Sequence, residues 1–151
     1  MMTENICDIG NTKQDIDCEL AFLLKILGKK WMIFILSQLL KNEELYFSEL
    51  QKRIRVNHKV ISAKALSDNL NILEKNDLIK REVISDSKPV RVKYKLTEKG
   101  RDLKIIFGAL KGWGIKWGDL ESKHCGSVNC LYNSVPALDI DKAWDLLHKN
   151  E

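Results

Sequence analysis

A chain of 151 residues with 44% hydrophobic and 30% charged residues is long enough for one domain with its own core, and too apolar to stay disordered. No apolar run approaches the roughly 20 residues that a membrane-spanning helix needs. The first residues also lack a basic segment followed by an apolar one. A cytoplasmic protein with no membrane partner is therefore expected, with its four cysteines reduced. The net charge of +4 is small but concentrated: residues 80–95 hold six basic residues against Glu82 and Asp86, and the rest of the chain is balanced. Such a segment is the footprint of an element that meets phosphate.

Residues 1–15 are polar and aperiodic and read as a flexible arm. From Asp17 the pattern turns helical, with Leu20, Leu23, Leu24 and Leu27 at helical spacing and Gly28 as the stop. A second helix over residues 30–41 is apolar nearly all round, which places it centrally in the core. Tyr46 and Phe47 suggest a short strand. Ser48 to Gln51 has the S-x-x-Q form of a capping box, opening a short helix with Leu50 and Ile54 inward. Residues 55–61 read as a connector. A further helix spans residues 62–76, with Leu66, Leu70 and Leu73 on its buried face.

Residues 78–85 then read as a strand, residues 86–89 as a turn, and residues 90–96 as a second strand. In the second strand Val90, Val92, Tyr94 and Leu96 alternate with Arg91, Lys93 and Lys95, so one face is apolar and the other cationic. Thr97 caps a long helix over residues 98–120. A link containing Pro136 leads to a last helix over residues 139–149. Its stripe of Ile140, Ala143, Trp144 and Leu147 is expected to dock on the core or on a partner subunit.

Two short helices followed by a basic hairpin is the order of a winged helix-turn-helix. The fold class expected is mainly α with a small β wing, and dimeric. With the leucines of helix 62–76 inward, Lys64, Asp68, Asn71 and Lys75 lie on the opposite face, flanked near the N-terminus by Ser62, Ala65 and Ser67. Short polar side chains, a lysine and an asparagine at that end suit base edges in the major groove. Lys88, Arg91 and Lys93 of the hairpin suit phosphates or the minor groove. The DNA-binding residues expected are therefore Ser62, Lys64, Ala65, Ser67, Asp68, Asn71, Lys88, Arg91 and Lys93, with double-stranded DNA as partner.

The long helix carries Leu103, Ile106, Phe107, Leu110, Trp113 and Trp117 at helical spacing, interrupted by Gly108, Gly112, Gly114 and Gly118. Each glycine costs a helix interior up to about 1 kcal/mol relative to alanine. Close approach of a partner helix would explain four of them, so this stripe is the expected homodimer interface.

Several stretches together resemble the HxlR family of winged-helix transcription regulators. Cys18 stands just before the first helix, where the family has a Cys-Pro. "LGKKW" (residues 27–31) resembles the family's Gly-Lys-Trp start of the second helix, and "YFSEL" (residues 46–50) its Arg-Phe-x-Glu-Leu. "ISAKALSDNLNILEKNDLI" (residues 61–79) resembles the recognition helix and its Leu-Glu-x-Asp/Asn-x-Leu exit. "KPVRVKYKLTEKG" (residues 88–100) resembles the wing and the Leu-Thr-x-x-Gly start of the long helix, and "LKGWG" (residues 110–114) that helix's end. The likeness covers about 100 residues, which bounds a DNA-binding and dimerisation domain at residues 16–122 and a C-terminal extension at residues 123–151. It implies a homodimer on a palindromic operator, acting as a repressor near its own or an adjacent gene. Three features depart from the family: Glu19 follows the cysteine, the link over residues 55–60 is longer, and nothing after Asp119 matches the common pattern.

The resemblance also implies a thiol-sensing candidate, because Cys18 matches the sensing cysteine of some family members. A helix N-terminus lowers a thiol pKa and makes it more reactive. Cys125 and Cys130 are further redox candidates. With His124 they form H-C-x-x-x-x-C, which leaves a disulfide, a metal site and a plain loop open. That spacing is no standard zinc knuckle, so no metal is expected. No nucleophile–base pair or phosphate-binding glycine loop is present, and neither enzyme activity nor a cofactor is expected. A DNA-coating protein and a winged-helix protein-interaction module are the competing functional classes.

Overall fold

The computed structural model describes residues 18–56, 59–118 and 135–149. In chain order the elements are α1 (Glu19–Leu27), α2 (Met32–Asn42), β1 (Glu44–Tyr46), α3 (Phe47–Arg53), β2 (Arg55–Val56), β3 (Lys59–Val60) and α4 (Ala63–Lys75), then β4 (Ile79–Ile84), β5 (Arg91–Leu96), α5 (Glu98–Trp117) and α6 (Ile140–His148). α2 is the centre of the core, as its all-round apolar pattern predicts: Met32, Ile35, Leu36 and Leu39 are fully buried. Leu50 and Ile54 at α3, Leu66, Leu70 and Leu73 on α4, Tyr94 and Leu96 on β5, and Leu103 and Phe107 on α5 close around it. Burying each such side chain stabilises the fold by about 1.5–3 kcal/mol.

β4 and β5 form the expected antiparallel hairpin, with Glu82 opposite Lys93 and Ile84 opposite Arg91. β1 adds a third strand on the far side of β5, giving the order β1-β5-β4. Residues 55–61, read as a plain connector, contain a second ladder: Arg55 faces Val60, and Val56 faces Lys59. The ladder satisfies backbone groups that a bare link would leave to solvent.

The start of α3 also differs from the expected capping box at Ser48 and Gln51. Tyr46 is the N-cap, and Glu49 reaches back to accept from its backbone N–H at 2.9 Å. Pairing of Tyr46 with Lys93 across β1 and β5 holds the chain extended up to that point, so the helix begins two residues earlier. The Gln51 side chain instead donates to the Ile61 carbonyl.

The exit of α4 is locked to the start of α5. Thr97 Oγ1 donates to the Asp77 carbonyl at 2.6 Å and accepts from the Gly100 N–H at 3.0 Å. Lys99 Nζ donates to the Asn76 carbonyl. A Cβ at Gly100 would lie 2.1 Å from the Leu78 carbonyl oxygen, which explains the glycine three residues after the threonine cap.

α5 ends at Trp117, three residues short of the expected Leu120, and runs unbroken through Gly112. Backbones do approach closely at Gly108 and Gly112, two of the four glycines, but the approaching segment is the chain's own. Pro136 and Leu138 cross Gly108 and Gly112, Leu138 N–H donates to the Gly108 carbonyl at 2.9 Å, and Lys111 Nζ donates to the Val135 carbonyl. Val135 joins the core. Gly114 faces open space, and Gly118 is the C-cap. α6 lies against α5 through its first turn, with Lys116 paired to Asp141. Trp144 and Leu147, on the stripe expected to dock, are exposed. No helix among the described residues is long and apolar enough to cross a membrane.

Candidate nucleic-acid interface

α4 presents the surface that its periodicity predicts. Ser62 is its N-cap, with the hydroxyl oxygen accepting from the Ala65 N–H at 3.1 Å. Ser62, Lys64, Asp68 and Asn71 are exposed, and Ala65 and Ser67 are half-buried beside them. Lys64 and Asp68, one turn apart, form an ion pair at 3.0 Å. The leucine face opposite is wholly buried, so the helix is gripped on one side and offers the other.

The hairpin supplies charge, though not from every lysine expected. Lys88 and Arg91 are exposed, and the Arg91 guanidinium sits 5.5 Å above the centroid of the Tyr46 ring. Lys93 was expected to offer its charge to DNA in the same way. Its side chain is only 19% exposed, and its ammonium lies 3.2 Å from Glu44 and 3.8 Å from Glu82. The hydrogen bond to Glu44 holds its pKa above the usual lysine value, with the Glu44 and Glu82 charges adding to this against desolvation. Lys93 thus ties three strands together instead of standing open. Lys80 and Lys95, directly opposite each other across β4 and β5, are exposed cations on the same face as Arg91 and Lys93. Like charges in that register repel, and a polyanion alongside would relieve the repulsion.

Between the start of α3 and the wing lies an open groove of about 570 Å³, lined by Tyr46, Phe47, Ser48 and Glu49 on one side and Pro89, Val90, Arg91 and Val92 on the other. Val90, expected inside the apolar alternation, lies before β5 and is exposed. The parts that sequence reasoning missed, Glu44, Glu82 and Tyr46, differ in how they could have been found. Glu82 follows from the hairpin register. Glu44 and Tyr46 reach the wing only through the β1–β5 pairing, which no local pattern announces.

The stripe expected at a dimer interface divides. Leu103 and Phe107 belong to the chain's own core, where they close α5 onto the sheet, and Ile106 packs against that core. Leu110, Trp113 and Trp117 are 58%, 61% and 65% exposed. Leu20, Phe22 and Leu24 on α1 are also exposed. Cys18 stands at the N-cap of α1, half-buried, with its carbonyl accepting from the Phe22 N–H. Cys7, His58, His124, Cys125 and Cys130 lie outside the described residues. Among the described residues, no three His, Cys, Asp or Glu side chains are grouped to hold a metal ion.

Comparison with known proteins gives this geometry its context. The family model described as HxlR-like helix-turn-helix matches residues 26–122. The HTH-type transcriptional regulator YvaP of Bacillus subtilis is 37% identical over 94 residues, covering 62% of this chain and 82% of that protein. Among solved structures, the reduced form of the transcriptional regulator YodB from B. subtilis has 30% identity and a TM-score of 0.56, over 68% of this chain and 95% of that one. The oxidised form of the redox regulator HypR has 31% identity and a TM-score of 0.53, over 68% of this chain and all of that one.

Proposed function

The chain belongs to the HxlR-like helix-turn-helix family of transcriptional regulators, and from that premise we propose that it binds a palindromic operator as a homodimer and represses transcription. The observation that carries this reading is the joint placement of α4 and the wing. α4 offers Lys64, Asp68 and Asn71 from a rigidly held face, and the hairpin beside it offers Lys88 and Arg91. The Thr97, Asp77 and Gly100 contacts tie the exit of α4 to the start of α5 at the base of the hairpin, which supports a fixed placement of α4 beside the wing. In this reading α4 enters the major groove, with Ser62, Ala65 and Ser67 closest to the bases. Lys88 and Arg91 hold phosphates or the minor groove. Lys93 acts indirectly, by holding the wing.

Leu110, Trp113 and Trp117 form the homodimer contact, since one face of α5 is already taken by residues 135–138 and another by the core. A twofold protein then matches a twofold operator. Repression follows the family resemblance. Cys18 is proposed as an oxidant-sensing thiol at a helix N-terminus, a reading supported by the likeness to HypR, a redox regulator.

Footprinting on the gene's upstream region tests this function. The expected result is one protected stretch of about 20 base pairs, with two symmetric halves centred about 10 base pairs apart. Uniform protection along the whole duplex would contradict it.

A further inference from the structure

The exposed face of α4 holds a donor and an acceptor already paired with each other. Lys64 Nζ lies 3.0 Å from Asp68 Oδ2, and the two side chains are 86% and 58% exposed. An exposed pair one helical turn apart stabilises a helix by only about 0.3–0.5 kcal/mol. Stability therefore gives little reason for a carboxylate in the middle of a face that meets a polyanion. Nor does the pair help with phosphates, because its net charge is zero and it releases no counterions.

Its geometry fits a base edge instead. In a G·C pair, guanine O6 accepts from the cytosine N4 amino group, so the two atoms sit about 2.9 Å apart. On the major-groove edge lysine donates to guanine O6 and N7, and a carboxylate accepts from cytosine N4. A donor and an acceptor 3.0 Å apart thus face an acceptor and a donor at nearly the same spacing, closing a ring of four alternating hydrogen bonds. We propose that Lys64 and Asp68 read one G·C base pair as a unit, with Lys64 on guanine and Asp68 on cytosine. This inference rests on the proposed seating of α4 in the major groove.

The pair rejects the alternatives for distinct reasons. Reversing the base pair sets the ammonium against an amino group and the carboxylate against O6. A T·A pair offers thymine O4 and adenine N6 at a similar spacing, but there the lysine meets the thymine methyl group where guanine offers N7 as a second acceptor, and the carboxylate lies beside adenine N7, a further acceptor, so the pair is disfavoured. Asn71, about 4.5 Å further along the helix axis than Asp68 at 1.5 Å per residue, is left for a neighbouring base, and asparagine suits adenine.

The test selects bound duplexes from a randomised double-stranded library, using the wild-type protein and Asp68→Ala. Affinity for the selected site is then measured with each base pair substituted in turn. Asp68 is exposed on a helix and alanine favours helix, so the variant keeps its fold. Wild type is expected to select a G·C pair in each half-site and to lose about tenfold in affinity when that pair is changed. Asp68→Ala should lose the preference at that pair alone. Its unpaired Lys64 should also bind scrambled duplex more tightly, with the salt slope steeper by about one. An unchanged consensus for Asp68→Ala, or a loss of preference spread evenly over the site, overturns the proposal and leaves α4 as the DNA-reading helix. Failure of the wild type to enrich any sequence overturns sequence-specific reading, and this inference with it.

Discussion

A cation serves a DNA-binding surface only to the extent that nothing else has neutralised it. Arg91 and Lys93 are two residues apart on one strand face, yet the first is exposed over Tyr46 and the second lies between Glu44 and Glu82. Arg91→Ala is expected to weaken binding to every duplex alike and to reduce the slope of log affinity against log salt by about one. Salt titrations of the variant check this. Lys93→Ala should leave that slope nearly unchanged and loosen the sheet instead. The folded pKa of Lys93 is raised, so its stabilising contribution is complete below the ordinary lysine value of 10.5 and is lost only as pH climbs through the raised value. The bridge is therefore insensitive to pH near neutrality. Asn71→Ala is expected to shift base preference more than bulk affinity, as read by competition between the selected duplex and its single-base variants. The strand alternation made both cations legible in the sequence. What separated them was Glu44, 49 residues away from Lys93 along the chain.

At the scale of elements, periodicity was most informative where one face is buried. The leucines of α4 recur at helical spacing and the residues of β5 alternate, and both elements lie where those patterns put them. Local capping chemistry was less decisive. Ser48 with Gln51 and Tyr46 with Glu49 both have the right spacing, and the pairing of β1 with β5 selects the second. Of the four glycines expected to mark close approach in α5, Gly108 and Gly112 do so, without saying what approaches, and Gly114 and Gly118 do not. A Cβ at Gly112 would lie 2.0 Å from the Leu138 carbonyl oxygen, whereas one at Gly114 meets nothing within 4 Å. Gly112→Ala is accordingly expected to lift residues 135–148 from α5, seen as faster hydrogen exchange at the Leu138 N–H. Gly114→Ala should leave that exchange unchanged and stabilise the helix by up to about 1 kcal/mol. Equal behaviour of the two variants would contradict the crossing at Gly112. Thr97→Ala removes a helix cap and a bond to the Asp77 carbonyl, and is expected to cost about 1 kcal/mol in denaturant unfolding.

At the scale of the whole molecule, α5 divides the labour. One side closes the core through Leu103 and Phe107, a second receives residues 135–138, and Leu110, Trp113 and Trp117 are left facing outward. Large exposed apolar groups gathered on one helix mark an interaction surface. Replacing Trp113 and Trp117 by glutamate should yield a folded monomer in sedimentation, with operator affinity strongly reduced because one half-site is engaged instead of two. The sequence could name the stripe but could not divide it into buried and exposed parts, since a core and an interface call for the same apolar residues at the same spacing. The central claim remains that this protein reads DNA sequence. The most direct test is fluorescence anisotropy with a labelled duplex from the gene's own upstream region, against unlabelled specific and scrambled competitors at two salt concentrations. The account predicts binding that weakens with salt at both sites but is displaced far more readily by the specific competitor than by the scrambled one. Equal displacement by the two would mean that the protein binds DNA without reading it, and absence of binding at low salt would remove DNA as its partner.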